Sequence, residues 1–348
     1  MRDVALIGCG HIAAAHLAGW RQTKGGRVAG VFDVTRALAE KRAAEFGVDK
    51  VYRSLQEAIE SCQVIDVCTP PHTHAELAEQ VLTAHKHLLI EKPLVTAVAD
   101  WERIKPSLTA SSICVVHNLK FTRAIQRAKQ WVDDGRIGDV IRLHRLFLTS
   151  ATHDRMLGAA HWSHALPGGR WFETLPHELY LTHMFAGPLT LASVTALHTR
   201  AAIVGAPADE VCIVLAGERA ISTVHYSASS QENRRSLEIF GTKGKIEVDV
   251  LSDSATLSTA RDGKWRRAVG VKNLETGHRL AQAILDRADY ARARIAKETP
   301  HAVLIAAFDR HLAGEEPSPT PIDEIDYVVR NCELIGREID RAVHAAQR

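Results

Sequence analysis

Near its amino terminus the chain reads Val4-Ala5-Leu6-Ile7-Gly8-Cys9-Gly10-His11-Ile12-Ala13. A short apolar run, a glycine-rich turn and the amphipathic pattern that follows predict a strand, a tight turn and a helix. Gly8 allows the turn, Gly10 lets the backbone approach a pyrophosphate, and Ala13 is small enough for the helix to pack closely on the strand. Because the start of a helix presents unpaired N–H groups and a favourable dipole, this stretch predicts a dinucleotide-binding turn.

The second strand-like run ends at an acidic residue. Asp33 lies 20 residues beyond Ala13, where a carboxylate can accept hydrogen bonds from ribose hydroxyls and repels a 2′-phosphate. This position favours NAD as the cofactor. Arg36 is near enough in sequence to stack on adenine or to tolerate a phosphate, so NADP stays open as an alternative.

The first third of the chain alternates apolar runs with helical patterns. Further apolar runs lie at residues 64–68, 88–90 and 113–116. Continuous apolar strands between helices indicate a parallel sheet that is covered on both faces, and crossovers of this length favour a doubly wound fold. We therefore predict a Rossmann domain, an α/β fold, over residues 1–120.

From residue 121 onward, strand-like runs follow one another, with turn signals between some of them. Successive strands without intervening helices predict an open, mostly antiparallel sheet. Residues 121–348 are therefore expected to form a second α/β domain for substrate binding and oligomerisation. Helical patterns return at residues 280–296 and 303–312, and an apolar stripe predicts a terminal helix over about 323–345 that packs back on the first domain.

Length and charge narrow the function classes. The chain has 348 residues, of which 46% are apolar and 24% charged, an ordinary globular composition for a chain long enough to form two domains. With 43 basic and 41 acidic residues, there is no electrostatic reason to expect a nucleic-acid partner. No stretch approaches the ~18 consecutive apolar residues of a membrane helix, so we expect no membrane partner.

The cysteines and histidines argue against a metal site. None of the six cysteines forms a Cys-x-x-Cys pair, and several lie in runs that read as buried strands, so we expect free thiols and a cytoplasmic location. The closest histidine pairs are His72 with His74, His85 with His87, and His161 with His164. None has the His-Glu-x-x-His form of a zinc site, and we expect no bound metal.

Lys92 is the first candidate for acid–base chemistry. It stands in Glu91-Lys92-Pro93, at the carboxyl edge of the sheet, where ligands of such sheets bind. Pro93 biases Lys92 away from helical geometry and can direct its amine outward. A solvated lysine at the end of a strand explains the same residues, so spacing alone leaves both interpretations open.

Glu173 and His177 are the second candidate group, because they are four residues apart and would project from one face of a helix. Pro176 disfavours helix at Leu175, which would place Glu173 just outside the helix. A histidine in the first turn feels the positive end of the helix, which favours a neutral imidazole that can act as a base. A capping histidine beside an exposed glutamate is the alternative.

Together these motifs resemble those of the glucose–fructose oxidoreductase/inositol dehydrogenase (Gfo/Idh/MocA) family over nearly the full length of the chain. The matching motifs are Gly8-Cys9-Gly10-His11-Ile12-Ala13, Thr69-Pro70-Pro71-x-x-His74, Glu91-Lys92-Pro93-Leu94, His117-Asn118-x-x-Phe121, Gly135-x-Ile137-Gly138, and Gly168-Gly169 followed by Glu173-x-x-x-His177. The resemblance implies a Rossmann domain plus an α/β domain with an open sheet. It also implies NAD(P)-linked oxidation or reduction at a CH–OH group of a sugar, polyol, sugar nucleotide or related hydroxy compound.

The resemblance also implies roles for individual residues. Lys92 and His177 become the catalytic pair, and Glu173 stands where the family usually has aspartate. The expected cofactor-binding residues are Gly8, Gly10, His11, Ile12, Asp33, Arg36, Thr69, Pro70, His74, Glu91, Lys92 and Asn118. The candidate substrate contacts are Lys120, Arg123, Arg155, His161, Trp162, Trp171 and Tyr180. Since an open sheet face is usually covered by another subunit, we expect a homodimer or homotetramer.

Two other functions remain open at this point. An NAD-dependent glycosidase resembles the same family and uses transient oxidation to cleave a glycosidic bond. A non-catalytic NAD(P)-binding regulator is the other alternative. The presence of Lys92, Glu173 and His177 argues against a regulator, because binding alone needs no acid–base residues.

Overall fold

Five parallel strands form the first sheet, in the order β2-β1-β3-β4-β5. Its strands are β1 (Arg2–Ile7), β2 (Gly26–Phe32), β3 (Val64–Val67), β4 (His87–Ile90) and β5 (Ile113–Val115). All four residues of β3 are buried, as expected of a parallel strand covered on both faces. The predicted doubly wound parallel sheet is therefore confirmed.

The structure is a computed structural model, and it describes residues 1–109, 111–158, 160–199, 208–259 and 298–346. The helix predicted over residues 280–296 lies outside these ranges. The chain divides into two compact units. The first unit joins Met1–Asn118 to Glu298–Arg330, and the second joins the described part of Leu119–Lys297 to the segment that begins at Asn331.

Helices cover both faces of the first sheet. They are α1 (Ala13–Trp20), α2 (Arg36–Phe46), α3 (Leu55–Ser61), α4 (His74–Thr83) and α5 (Val98–Ile104). Two apolar cores result: one includes Ile65 and Trp101, and the other includes Leu6 and Leu17. The short α3 was not predicted from the sequence. Ser54 caps it by accepting a hydrogen bond from the Glu57 N–H at 3.1 Å.

The second unit is built on a seven-stranded sheet with the order β12-β11-β10-β6-β9-β8-β7. Its strands are β6 (Val140–Leu148), β7 (Thr190–Leu197), β8 (Glu210–Ala216), β9 (Ile221–Ser227), β10 (Arg234–Gly241), β11 (Gly244–Asp249) and β12 (Ser254–Thr259). Every pairing is antiparallel except that of β6 with β9. This confirms the predicted open, mostly antiparallel sheet, although β12 was not predicted. Two helices of this unit are α6 (Arg123–Asp133) and α7 (Arg170–Ala186).

Two helices lie towards the end of the chain, α8 (Pro300–Leu312) and α9 (Ile322–Ala346). Helix α8 belongs to the first unit, whereas the sequence assigned it to the second domain. A Cβ on Gly19 of α1 would lie 3.2 Å from the Ala302 Cα, and Asp309 accepts hydrogen bonds from Arg2 Nη1 and the Gly25 N–H. These contacts are distant in sequence, so helical periodicity alone cannot reveal them.

Helix α9 is divided between the two units. In its first turns, Ile325 and Val329 join the core of the first unit, and Asp326 accepts a hydrogen bond from Trp101 Nε1 at 2.9 Å. Further along, Gly336 lies in the second unit, where its missing Cβ would be 3.0 Å from the Phe172 side chain. The predicted terminal helix exists, but only its first part packs within the first unit. Across the described ranges, no helix is both long and apolar enough to cross a membrane.

Candidate active site

The glycine-rich turn directly follows β1, and its two glycines have different functions. Gly8 has φ +90°, and a Cβ there would lie 2.7 Å from Thr69 Cγ2. Only glycine fits this position. Gly10 differs, because a Cβ there would meet no heavy atom within 4 Å. The space beside Gly10, just before α1, fits the close approach of a pyrophosphate to the backbone.

Asp33 connects the end of β2 to this turn. Its Oδ2 accepts a hydrogen bond from the Cys9 N–H at 2.7 Å, and its Oδ1 accepts one from the Thr35 N–H at 2.7 Å. Each oxygen keeps a second lone pair, so the carboxylate can still accept from ribose hydroxyls. Arg36 is exposed and forms an ion pair with Glu40 at 2.8 Å, so the structure places this candidate in a surface pair.

We predict opposite outcomes for alanine at the two glycines. Gly10→Ala should leave the melting temperature near that of wild type, because its Cβ meets open space, and should weaken NAD binding about tenfold by occupying room that the phosphates need. Gly8→Ala should destabilise the protein by about 1–3 kcal/mol because of its positive φ and its contact with Thr69. Calorimetric titration and thermal unfolding measure the two effects. Unchanged NAD affinity in Gly10→Ala would contradict the assignment of the turn.

His74 holds two loops together at the same edge of the sheet. Its Nδ1 lies 2.8 Å from the Pro93 carbonyl oxygen and its Nε2 lies 2.8 Å from the Thr69 carbonyl oxygen. The side chain is fully buried, and burial lowers its pKa, more than the two carbonyl contacts raise it. His74 therefore positions Thr69 and Pro93, and its predicted contact with the cofactor stays a prediction. Pro70 is exposed beside Thr69.

A buried charged network lies behind Glu91. Asp66 accepts hydrogen bonds from His16 Nδ1 at 2.8 and 3.0 Å and from Trp20 Nε1 at 2.8 Å. Glu91 accepts a hydrogen bond from His16 Nε2 at 3.1 Å, and His301 Nε2 lies 3.5 Å from the same carboxylate oxygen. Since both ring nitrogens of His16 face carboxylates, the geometry fits an imidazolium held between two anions.

The opposite charges in this network stabilise the ionised forms of His16 and Glu91. Burial alone lowers the pKa of His16, but the charge and hydrogen bond of Asp66 outweigh this and raise that pKa well above its ordinary value. Burial likewise opposes ionisation of Glu91, but hydrogen bonds from His16 and His301 hold its pKa well below the ordinary value. Glu91 also accepts a hydrogen bond from the Lys92 N–H at 3.1 Å. The network therefore fixes the backbone from which the Lys92 side chain projects, and Glu91 acts as a positioning residue.

Sequence reasoning missed this network. Its signal was Asp66, a charged residue inside the apolar strand β3, since a buried charge requires a partner. Two groups of side chains could in principle hold a metal ion. The metal-binding atoms of His16, Glu91 and His301 lie within 4.8 Å of one another, and so do those of His16, Asp66 and Cys68. Both ring nitrogens of His16 already bond to carboxylates, so we interpret these groups as an ion-pair network.

Asn118 follows β5 and offers a buried acceptor. Its Nδ2 lies 3.3 Å from His301 Nε2. Within the described ranges, its Oδ1 is buried and has no hydrogen-bond partner. Buried polar atoms are normally satisfied, so this oxygen fits a bound group that donates a hydrogen bond. With the turn at Gly10 and the carboxylate of Asp33, it supports the fit of a dinucleotide to this edge of the sheet.

Helix α7 carries the second candidate group. It begins at Arg170 and continues through Pro176, so the expectation that Glu173 lies just outside the helix is wrong. Trp171, Phe172, Leu175 and Leu179 of this helix are at most 1% exposed. Their burial stabilises a helix that the proline would otherwise interrupt. Glu173 and His177 consequently share one helical face, one turn apart.

The hydroxyl of Tyr180 contacts the imidazole of His177. Its oxygen lies 2.6 Å from His177 Nδ1 and accepts a hydrogen bond from the Leu119 N–H at 3.0 Å. Because Tyr180 is fully buried, we interpret it as a positioning residue, and its contact with substrate stays a prediction. When His177 Nδ1 donates to this oxygen, Nε2 carries the lone pair that a base needs.

Glu173 bonds to a neighbouring arginine. Its Oε2 accepts from Arg170 Nη1 at 3.3 Å, and Asp154 accepts from the same guanidinium at 2.6 and 2.9 Å. Trp171, predicted as a substrate contact, is fully buried, stacks on Tyr226 at 4.8 Å and donates to the Ala208 carbonyl oxygen at 2.9 Å. The periodicity of α7 turns this side chain into the core, and its contact with substrate stays a prediction.

The remaining candidates lie in loops and turns of the second unit or at the start of α6. Lys120 is partly buried in the short turn before α6, Arg123 is the first residue of α6, and Arg155 is exposed. His161 Nδ1 lies 2.8 Å from Ser163 Oγ, and its ring contacts that of Trp162, which is 40% exposed. Their contact with substrate stays a prediction.

Two family models match the chain. Residues 2–118 match the model described as an oxidoreductase family with an NAD-binding Rossmann fold, and residues 125–247 match the GFO/IDH/MocA C-terminal domain. The inositol 2-dehydrogenase of Rhizobium meliloti (strain 1021) is 26% identical over 255 residues, which cover 70% of this chain and 74% of the relative.

Solved structures show the same fold. One is the WlbA dehydrogenase from Bordetella pertussis in complex with NADH and UDP-GlcNAcA, with a TM-score of 0.76 and 18% identity over 99% of this chain and 96% of that one. Another is a levoglucosan dehydrogenase in complex with NADH and levoglucosan, with a TM-score of 0.74 and 19% identity over 99% and 97% of the two chains.

Proposed function

Because the chain belongs to the GFO/IDH/MocA oxidoreductase family, we propose that it is an NAD-dependent dehydrogenase that acts on a CH–OH group of a sugar, polyol or sugar nucleotide. One observation carries the proposal. Gly8, Asp33, Thr69, Lys92 and Asn118 each follow a different strand of the parallel sheet. They therefore share its carboxyl edge, where dinucleotides bind.

The side chains of this chain suit such a reaction. Bound NAD supplies the site that accepts a hydride from the carbinol carbon of the substrate. His177 takes the proton of the substrate hydroxyl, and Lys92 donates a hydrogen bond to that oxygen and stabilises the negative charge that develops there. Tyr180 keeps the imidazole oriented, and the Glu91 network keeps Lys92 in place. Glu173, bonded to Arg170, orients a second hydroxyl or His177 itself.

The carboxylate of Asp33 should make NAD the preferred cofactor over NADP. Asp33→Asn should narrow the difference in binding free energy between them by about 1–3 kcal/mol, because it removes the charge that repels a 2′-phosphate. Calorimetric titration of both cofactors measures this, with Asp49→Asn, on the exposed surface, as the control. Equal wild-type affinities for the two cofactors would count against the role of Asp33.

The substrate class follows from the named relatives, which include an inositol dehydrogenase, a levoglucosan dehydrogenase and a protein solved with UDP-GlcNAcA. The direct experiment incubates the protein and NAD with myo-inositol, levoglucosan, hexoses, hexose phosphates and UDP-sugars, and follows the absorbance of reduced nicotinamide. We expect at least one compound to reduce NAD. If none does, and none of the corresponding ketones oxidises NADH, the proposal is wrong.

We further propose a cytoplasmic homo-oligomer. All six cysteines are free and five are buried, which suits a reducing compartment. On β6, residues on the face opposite α7, such as Leu146 and Leu148, are only partly buried, and a second copy would cover them. Light scattering of the purified protein tests the dimer or tetramer, and a monomer at micromolar concentration would contradict it.

A further inference from the structure

Arg235 lies on the α7 side of the second sheet. It stands on β10 directly opposite Phe147 of β6, and cross-strand partners point to the same face. The ring of Phe147 packs edge-on against Trp171 of α7, with ring centroids 6.2 Å apart. The guanidinium carbon of Arg235 lies 4.4 Å from the centroid of the Phe147 ring. Arg235 is therefore held by an aromatic ring close to the start of α7.

The other arginines of this region are paired with carboxylates. Arg145 bonds to Glu178, and Arg170 bonds to Asp154 and Glu173. Arg235 differs from both: its Nε is buried and lacks an acceptor on any residue that the structure describes. A buried N–H of a charged group without an acceptor is unusual and requires an explanation.

The carboxylates nearest to Arg235 are bonded to another arginine. Burial lowers the pKa of the Arg235 guanidinium and the charges of Arg170 and Arg145 act in the same direction, whereas the charges of Asp154 and Glu173 raise it. Both of these carboxylates are already bonded to Arg170. Arg235 as a whole is only partly buried, unlike Arg145 and Arg170, which are buried.

We propose that Arg235 binds a carboxylate group of the substrate, so that the enzyme acts on a carboxylated sugar or polyol. This inference rests on the proposed function, because Glu173 acts on Arg235 electrostatically and lies one turn before His177. A carboxylate matches the planar edge of a guanidinium through two parallel N–H···O bonds. A phosphate dianion is less suitable, because the charges of Asp154 and Glu173 would repel it more strongly.

The test compares acids with their neutral counterparts. D-Glucuronate and D-glucose form one pair, D-galacturonate and D-galactose form another, and D-glucose 6-phosphate is the phosphate probe. Binding to the NADH-loaded protein is measured by calorimetry for wild type, Arg235→Gln and Arg235→Lys. Arg234→Gln is the matched control, because its exposed side chain is next in sequence and points to the opposite face of β10.

We expect wild type to prefer the acid of at least one pair. Arg235→Gln should reduce that preference roughly 10- to 100-fold, the range for losing a charged hydrogen-bonded pair. Arg235→Lys, which keeps the charge without the planar edge, should retain only part of it, and it supplies the test if Arg235→Gln does not fold. Arg234→Gln should bind as wild type does.

Three results would overturn the proposal. The first is that wild type shows no preference for either acid over its neutral counterpart. The second is that the acid preference persists in both Arg235 variants, and the third is that D-glucose 6-phosphate binds more strongly than D-glucuronate. Because binding is measured without turnover, the outcome separates this inference from the proposed function. An Arg235-dependent acid preference without any reduction of NAD would refute only the dehydrogenase activity.

Discussion

Lys92→Ala and His177→Ala should each slow hydride transfer by about 100-fold or more while leaving the affinity for NAD nearly unchanged. The loss follows from removing a positioned acid–base group, for which this is the usual scale. NAD binding should persist because the turn at Gly8 and Gly10, with Asp33, carries the phosphate and ribose contacts. Stopped-flow measurement of nicotinamide reduction, with calorimetric titration of NAD, gives both quantities.

Two surface variants are matched controls for this prediction. Lys129→Ala removes a lysine that is paired with Asp133 on α6, and His344→Ala removes a histidine near the end of α9. Both should react at the wild-type rate. The wild-type rate should also rise with pH as an imidazole loses its proton, and this rise should vanish in His177→Ala. Wild-type rates in both site variants would refute the assignment of Lys92 and His177.

The largest loss of stability should come from breaking the buried network at Asp66. Asp66→Ala leaves His16 Nδ1 and Trp20 Nε1 without their acceptor, and His16 is fully buried. Removing one partner of a buried ion pair typically costs about 3–5 kcal/mol. Urea unfolding should show this decrease, whereas Asp49→Ala, at an exposed position, should change the free energy of unfolding by less than about 0.5 kcal/mol.

The pH dependence of this loss identifies its cause. The folded state holds the His16 proton more tightly than the unfolded state does, because its pKa is raised. That stabilisation is complete below the unfolded pKa of about 6.5 and declines as pH rises towards the folded pKa. The difference in stability between wild type and Asp66→Ala should therefore shrink as the pH rises above about 6.5 towards the raised folded-state pKa of His16. A constant difference would mean that Asp66 acts through packing alone.

The sequence was sufficient where local patterns carry the information. The run before Gly8, the glycine turn and the acid at Asp33 follow from strand, turn and helix preferences over a few residues, and the structure has this strand, turn and helix. The open antiparallel sheet followed from successive strands for the same reason. These elements depend on neighbours in sequence, so one chain is enough to predict them.

Packing against segments that are distant in sequence explains what the sequence did not predict. Pro176 disfavours a helix locally, but the buried face of α7 outweighs it. Trp171 was predicted to lie on a loop near the site, and only the packed helix shows that Trp171 and Tyr180 are fully buried. The pairing of His16 with Asp66 and Glu91 joins three segments separated by 50 and 75 residues. Nothing in the local sequence of His16 indicates its partners.

The central claim, hydride transfer from a carbinol carbon, has one direct test. A substrate found in the panel is prepared with deuterium on the reacting carbon, and the nicotinamide product is examined by mass spectrometry and NMR. The account predicts deuterium on the nicotinamide ring and slower transfer of deuterium than of hydrogen, with the rate of transfer about 100-fold or more lower in His177→Ala. Release of a sugar leaving group without net NADH would indicate a glycosidase, and NADH that lacks deuterium would contradict the account.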